Sequence, residues 1–86
     1  MMHAVYVIQN DATKETYIGY TSNLKARIKA HNASGKKATT RNDGAWHYIY
    51  IELFRSKDDA QEREKKLKAH GSAKQKLLLR LRKSLL

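Results

Sequence analysis

Eighty-six residues without cysteine or proline suffice for one domain with a modest core, and they exclude a disulfide framework, a thiolate metal site and a thiol nucleophile. Eighteen Lys and Arg residues against eight Asp and Glu residues give a formal net charge of +10, which favours a polyanionic partner such as nucleic acid. The length predicts a single domain over residues 1–86. No apolar run approaches the roughly 20 residues that span a bilayer, so we expect a cytoplasmic protein without a membrane partner.

Two short strands joined by a polar loop begin the chain. Residues 4–8 are apolar β-formers, residues 17–20 are β-branched and aromatic, and turn formers lie between them, which predicts an antiparallel hairpin. Because strand side chains alternate, a register that puts Tyr6 and Tyr17 on one face sets Gly19 opposite Tyr6, and we expect open space above that glycine. The other face, predicted to be the core side, carries Val5, Val7, Ile18 and Tyr20.

The second predicted strand leads directly into a helix. Thr21 and Ser22 are suited to cap it, and helical spacing of apolar residues begins at residue 23. Arg27 and His31 then lie one turn apart on the same face, at the shoulder of the apolar stripe. A guanidinium and an imidazole at this place suit the recognition of a phosphate. An ordinary amphipathic helix with a boundary arginine and a capping histidine explains the same residues equally well.

A polar segment, residues 33–44, separates this helix from a third strand. Its hydroxyls and cations suit contacts with phosphate oxygens, although a plain surface loop has the same composition. Residues 46–54 alternate and are rich in aromatic residues and isoleucine, which predicts a strand. Ser56 is suited to cap the helix that follows.

The helix predicted at about residues 57–69 carries a carboxylate in its apolar face, because Ala60, Glu64 and Leu67 share one stripe. Burying an unpaired carboxylate costs on the order of a few kcal/mol. Glu64 must therefore pair with a cation or hold a metal, and hard divalent cations such as Mg²⁺ take carboxylate oxygens. An ion pair with Arg27 is the equally supported alternative.

A basic amphipathic helix is predicted to close the chain after Gly71, which is suited to end the preceding helix. Residues 65–86 hold eight basic residues and no acidic one, so nucleic acid is the favoured partner of this surface. A solvated face and a helix lying on an anionic membrane are the alternatives. Leu79 lies off the leucine stripe, which suggests a partner surface or a weak homodimer. The stripe consists of Leu77, Leu78, Leu81 and Leu85.

The hairpin and the first two helices together hold a recognisable order of residues. That order is Val5-Tyr6-Val7, then Tyr17-Ile18-Gly19, Arg27, His31 and Glu64. The combination resembles the GIY-YIG nuclease superfamily over about residues 4 to 80. The chain's size and its Ala60, Glu64 and Lys68 spacing are similar to the small stand-alone bacterial group related to the N-terminal nuclease module of the excision-repair incision subunit. Two departures are Val5 and Val7, in place of glycine and isoleucine, and the missing asparagine after the glutamate helix, whose region holds His70 and Ser72.

The resemblance implies an α+β fold, a three-stranded antiparallel sheet flanked by helices, and metal-dependent phosphodiester hydrolysis. Glu64 would hold one Mg²⁺ or Mn²⁺, which would stabilise the leaving oxygen. Tyr6 would receive the proton of the attacking water, either as a transient phenolate or in relay with His31, and it is a poor base at an ordinary pKa near 10. Arg27 would stabilise charge on the phosphate, and Tyr17 would position the phosphate or the water.

The function predicted in this way is a DNA endonuclease of low sequence specificity, acting on single-stranded or structured DNA in repair, with a targeting protein as a further partner. The alternative is a catalytically silent module that binds nucleic acid through its basic face, although such a module has no use for Glu64 facing phosphates. The residues predicted to contact DNA are Lys36, Lys37, Thr40, Arg41, Lys68, Lys74, Lys76 and Arg80.

Overall fold

Three strands form one antiparallel sheet with helices on both faces. The computed structural model describes residues 1–34, 44–69 and 71–86. The strands are β1 (His3–Asn10), β2 (Thr16–Thr21) and β3 (Trp46–Phe54), in the spatial order β2-β1-β3. The helices are α1 (Leu24–Ser34), α2 (Lys57–Ala69) and α3 (Gly71–Arg80). The predicted α+β class and three-stranded antiparallel sheet are confirmed.

The register between β1 and β2 is the predicted one, because Tyr6 pairs with Gly19 and Val7 pairs with Ile18. The space above Gly19 is not open, however. A Cβ atom built on this glycine would overlap the hydroxyl and Cζ of Tyr6. Glycine is therefore required here because the Tyr6 side chain lies across the neighbouring strand.

A β-bulge in the pairing of β1 with β3 divides the aromatic residues of β3 between the two faces. Val7 pairs with Tyr50 but Ile8 pairs with Tyr48, so the register shifts by one residue. Simple alternation along β3 would place Tyr48 and Tyr50 on the same face. Instead, Tyr48 lies on the face of Tyr6, and Tyr50 lies on the opposite face.

The core lies between the sheet and the helices α2 and α3, on the face that the sequence predicts. On the other face α1 is joined to β3, because the Tyr48 hydroxyl donates a hydrogen bond to the Leu24 carbonyl at 2.6 Å. The catalytic residues predicted on β1 and α1 thus lie on the face opposite the main core. The buried core residues are Val5, Val7, Ile18, Ala60, Leu67 and Leu77.

Polar side chains cap two of the helices. Asn23 Oδ1 accepts the backbone N–H three residues later at 3.1 Å, so Asn23 caps α1. The predicted caps were Thr21 and Ser22, but Thr21 Oγ1 instead accepts the N–H of Asn23 at 3.0 Å. Ser56 caps α2 as predicted, with a 3.2 Å bond to the N–H three residues later. Gly71 is the first residue of α3 and does not have the positive φ expected of a residue that ends α2.

The end of α1 is tied to the beginning of β3 by one side-chain amide. Asn32 Oδ1 accepts the Trp46 N–H at 2.7 Å, and Asn32 Nδ2 donates to the Trp46 carbonyl at 3.3 Å. This pair of bonds imitates the pairing of a neighbouring strand. No helix within the described ranges is long and apolar enough to cross a membrane.

Candidate active site

A tyrosine and a histidine from different elements form a hydrogen-bonded pair on the α1 side of the sheet. The Tyr6 hydroxyl, on the central strand, lies 3.0 Å from Nε2 of His31, in the last turn of α1. Tyr6 is completely buried, with 0% exposure, and His31 is half-buried. These residues are 25 positions apart in sequence, and the strand-to-helix transition after β2 brings them together.

Aromatic rings surround this pair. The centre of the Tyr17 ring lies 5.1 Å from that of His31, and the centre of the Tyr48 ring lies 5.4 Å from that of Tyr6. The Trp46 ring lies 6.4 Å from His31. Tyr17, at 41% exposure, is the most accessible of the four tyrosine and tryptophan rings, so a ligand would reach the site from the β2 side.

Burial keeps both members of this pair uncharged at neutral pH. It raises the pKa of Tyr6 to about 12, against the opposing charge of Arg27 and with a smaller contribution from Glu64. It also lowers the pKa of His31, and Arg27 adds to that effect. At neutral pH the phenol therefore keeps its proton and the imidazole is neutral, and the tautomer of His31 decides which of the two groups donates the hydrogen bond. Although Arg27 is an exposed residue of α1, its charge acts on both members of the pair.

Glu64 lies beside this group of side chains and is neutralised by Lys68. Lys68 Nζ lies 3.0 Å from Glu64 Oε2, one helical turn away, and 5.2 Å from the centre of the Tyr17 ring. The side chain of Glu64 is 24% exposed. Pairing of Glu64 with a cation agrees with the prediction, but the partner is Lys68 and not Arg27.

The described side chains fit a hydrated cation and not a fully protein-coordinated one. Residues 1–34, 44–69 and 71–86 contain no group of three His, Asp or Glu side chains that could hold a metal ion. Glu64 offers one carboxylate, of which Oε2 contacts Lys68. Mg²⁺ in phosphoryl-transfer sites commonly uses one or two carboxylates and takes its other ligands from water and substrate phosphates. A single glutamate is compatible with that kind of site.

The predicted DNA contacts fall into three groups. Lys36, Lys37, Thr40 and Arg41 lie outside the described residues. Lys68 contacts both Glu64 and Tyr17. Lys74, Lys76 and Arg80 lie on α3, where Lys76 and Arg80 line a groove of about 210 Å³ together with Arg63.

Sequence reasoning missed a polar cluster on the other face of the sheet. Arg63 makes a bidentate ion pair with Glu52, which also accepts a hydrogen bond from Tyr50. It also missed Trp46 and Tyr48 as neighbours of the Tyr6–His31 pair. The i, i+4 spacing of Glu64 and Lys68 was a visible signal for their ion pair. No comparable local spacing marks Glu52 and Arg63.

The tyrosine of the central strand thus contacts a histidine of α1, and the charges of Arg27 on α1 and Glu64 on α2 act on it. The model of the GIY-YIG catalytic domain matches residues 2–77, and the chain belongs to the GIY-YIG family. This membership agrees with the resemblance carried by the sequence motifs and indicates a nuclease.

Similar proteins extend over most of the chain. A UPF0213 protein of Clostridium perfringens is 40% identical over 63 residues, covering 73% of this chain and 67% of the relative. A UPF0213 protein of Staphylococcus haemolyticus is 37% identical over 75 residues, covering 87% and 89%. The solution NMR structure of a UPF0213 protein from Bacillus halodurans is similar with a TM-score of 0.58 and 30% identity, over 94% of this chain and 85% of that one.

Proposed function

We propose that the protein, acting as a single domain, is an endonuclease that hydrolyses phosphodiester bonds of DNA with the help of a divalent cation. The observation that carries this proposal is the 3.0 Å hydrogen bond between Tyr6 and His31, close to Glu64 and Arg27. A proton acceptor, a cation and a carboxylate that can hold a metal are the groups that phosphodiester hydrolysis needs.

The Tyr6–His31 pair would carry the proton of the attacking water. With a pKa of about 12, Tyr6 would be a phenolate in only about one molecule in 10⁵ at neutral pH. A relay avoids this intermediate, because the phenol oxygen accepts the water proton while its own proton passes to Nε2 of His31. A pKa below the ordinary histidine value keeps the imidazole neutral, and in the tautomer protonated at Nδ1 its Nε2 would accept this proton. The burial of Tyr6 requires that side chains move aside when the substrate binds.

Arg27, Lys68 and Tyr17 would bind the phosphate. The guanidinium of Arg27 presents a planar fork that matches two phosphate oxygens. Lys68 adds a second positive charge next to the exposed Tyr17 ring. Both cations would stabilise the negative charge that increases on the phosphate as the water attacks.

Glu64 would hold the divalent cation, Mg²⁺ or Mn²⁺, with water and phosphate oxygens as its remaining ligands. When bound, such a cation supplies Lewis-acid stabilisation of the phosphate and of the leaving oxygen. Lys68 would then need to separate from Glu64, since two cations on one carboxylate repel each other.

DNA would bind mainly through phosphate contacts and therefore with low sequence specificity. The surface of α3 supplies many of these charges, since residues 65–86 contain eight basic residues and no acidic one. The same charge opposes a homodimer through α3, although Leu79 there is 69% exposed. A targeting protein would be a separate partner of the enzyme.

Cleavage assays with a matched pair of variants test this function. Labelled single-stranded, duplex and flap DNA would be incubated with Mg²⁺, Mn²⁺ or a chelator. Glu64→Gln should abolish cleavage while DNA binding is kept, because the variant loses the anionic metal ligand at equal volume. Glu62→Gln, which removes an exposed partner of Lys66 on the same helix, should cut normally. Full activity of Glu64→Gln, or metal-independent cutting by the wild type, would refute the assignment, and failure to cut any DNA would favour a silent binding module.

A further inference from the structure

Two hydrogen bonds join α2 to β3 on the core side of the sheet, and a third bond within β3 reaches the same carboxylate. Arg63 Nε donates to Glu52 Oε1 at 2.9 Å, and Arg63 Nη2 donates to Glu52 Oε2 at 2.8 Å. The Tyr50 hydroxyl donates to the same Oε2 at 2.7 Å. We call these three residues the α2 clamp. The guanidinium holds the pKa of Glu52 below its usual range, so the pair remains charged at neutral pH.

The position of the α2 clamp around the helix axis is informative. Ala60 and Leu67, the two buried residues of α2, define the direction that faces the sheet. At about 100° per residue, Arg63 projects roughly 60° to one side of Ala60, and Glu64 projects roughly 40° to the other side. Accordingly, Arg63 reaches the β3 edge, whereas Lys68, the partner of Glu64, reaches Tyr17 at the β2 edge.

Apolar contacts determine which face of α2 meets the sheet, but they resist small rotations of the helix about its axis only weakly. The burial of Ala60 and Leu67 holds the helix against the sheet, but the hydrophobic effect is non-directional and resists a small rotation weakly. A bidentate guanidinium–carboxylate pair has a defined geometry and does resist it. Among the described residues, the two Arg63–Glu52 bonds are the side-chain hydrogen bonds that connect α2 with the sheet.

We propose that the α2 clamp is a positioning device for the active site: Arg63 and Glu52 set the rotation of α2 and thereby the position of Glu64 on the opposite flank. The consequence for catalysis rests on the proposed function. A carboxylate about 5–6 Å from the helix axis moves by about 1 Å when the helix rotates by roughly 10°. A displacement of that size lowers a catalytic rate by up to about 10²-fold.

NMR spectroscopy tests the geometry without relying on activity. In the wild type, nuclear Overhauser effects should connect the Lys68 side chain with the Tyr17 ring, because Lys68 Nζ lies 5.2 Å from the centre of that ring. Glu52→Gln should weaken or remove them, together with the shifted Arg63 Nε–H resonance of the bidentate pair. Glu62→Gln, which changes the same charge on the exposed side of α2, should leave both signals intact. Intact Lys68–Tyr17 contacts in Glu52→Gln would overturn the proposal.

A second variant separates positioning from stability. Glu52→Leu combined with Arg63→Met replaces the ion pair by apolar side chains, a change that often leaves stability unaltered or increased. We expect this folded variant to lose the Lys68–Tyr17 contacts and to cut DNA about 10- to 100-fold more slowly at saturating DNA, with little change in KM. Wild-type contacts and wild-type kcat in the double variant would show that the α2 clamp serves stability alone.

The two proposals fail in different ways. A wild-type protein that cuts no DNA would refute the endonuclease function, whereas the Overhauser comparison would still decide whether the α2 clamp orients Lys68 and Glu64. A wild-type protein that cuts DNA, with clamp variants that cut equally well, would refute the positioning role and keep the function.

Discussion

If Tyr6 takes the proton of the attacking water and passes its own proton to His31, the pH dependence of cleavage should follow the imidazole and not the phenol. The alternative is a Tyr6 phenolate acting as the base. With a Tyr6 pKa of about 12, forming the phenolate at pH 7 requires about five pKa units, or roughly 7 kcal/mol. Its population, and with it the rate, would increase about tenfold for each pH unit through the whole range from 7 to 9.

The relay predicts a different profile. His31 accepts a proton only when it is neutral, and its pKa lies below the ordinary 6.5. Therefore kcat/KM should fall as the pH decreases through that lowered pKa and should be level between about pH 7 and 9. His31→Gln keeps a hydrogen-bond acceptor near Tyr6 but cannot take up the proton, so it should lose the acidic limb and about 10²- to 10⁴-fold in rate.

The assay is kcat/KM for a labelled oligonucleotide at fixed ionic strength and saturating Mg²⁺, with the melting temperature measured at each pH to show that the fold persists. Tyr6→Phe is the companion variant, because it removes the hydroxyl, keeps the buried ring, and should also lose most activity. A rate that continues to increase tenfold per pH unit from 7 to 9, or a His31→Gln variant with wild-type activity, would refute the relay.

Three further results are expected. Gly19→Ala should destabilise the fold by about 1–3 kcal/mol in denaturant titrations and reduce cleavage, because the new Cβ overlaps the Tyr6 hydroxyl; a fully stable and active variant would contradict this. Lys68→Met should tighten Mn²⁺ binding to the DNA-free protein, measured calorimetrically, because the competing cation on Glu64 is removed, and equal or weaker binding would argue against a metal at this carboxylate. Neutralising the basic residues of α3 and the segment after it should flatten the plot of log K against log salt by about 0.7 per lost contact on single strands and about 0.9 on duplex, whereas an unchanged slope would mean that α3 faces away from DNA. The residues neutralised together would be Lys74, Lys76, Arg80, Arg82 and Lys83.

Much of the fold was predictable because local patterns determine it. The helix bounds Lys57–Ala69 and the strand bounds Trp46–Phe54 agree with the pattern of the sequence. The pairing of Tyr6 with Gly19 followed from period-two alternation and a short hairpin. These features depend on neighbours in sequence, which is the information that periodicity and capping residues contain.

The remaining features depend on contacts between distant parts of the chain. The β-bulge at Val7 and Ile8 interrupts the alternation of β3, so no pattern within β3 could place Tyr48 and Tyr50 on opposite faces. The ion pair of Glu52 with Arg63 requires the packing angle of a helix on a strand, which spacing does not encode. The complete burial of Tyr6 was likewise invisible, because a tyrosine on a strand is compatible with either a covered or an open position.

The amide of Asn32, which joins the end of α1 to the beginning of β3, has a consequence for how such a nuclease could be altered. Asn32 directly follows His31, and its bonds to Trp46 hold the end of α1 close to the beginning of β3. Residues 35–43 connect these two elements in the sequence. Doubling the length of a closed segment adds only about 0.6 kcal/mol of closure entropy. Replacement segments of different length and charge could therefore be grafted at residues 35–43 to change DNA preference, while Asn32 keeps His31 in register with the sheet.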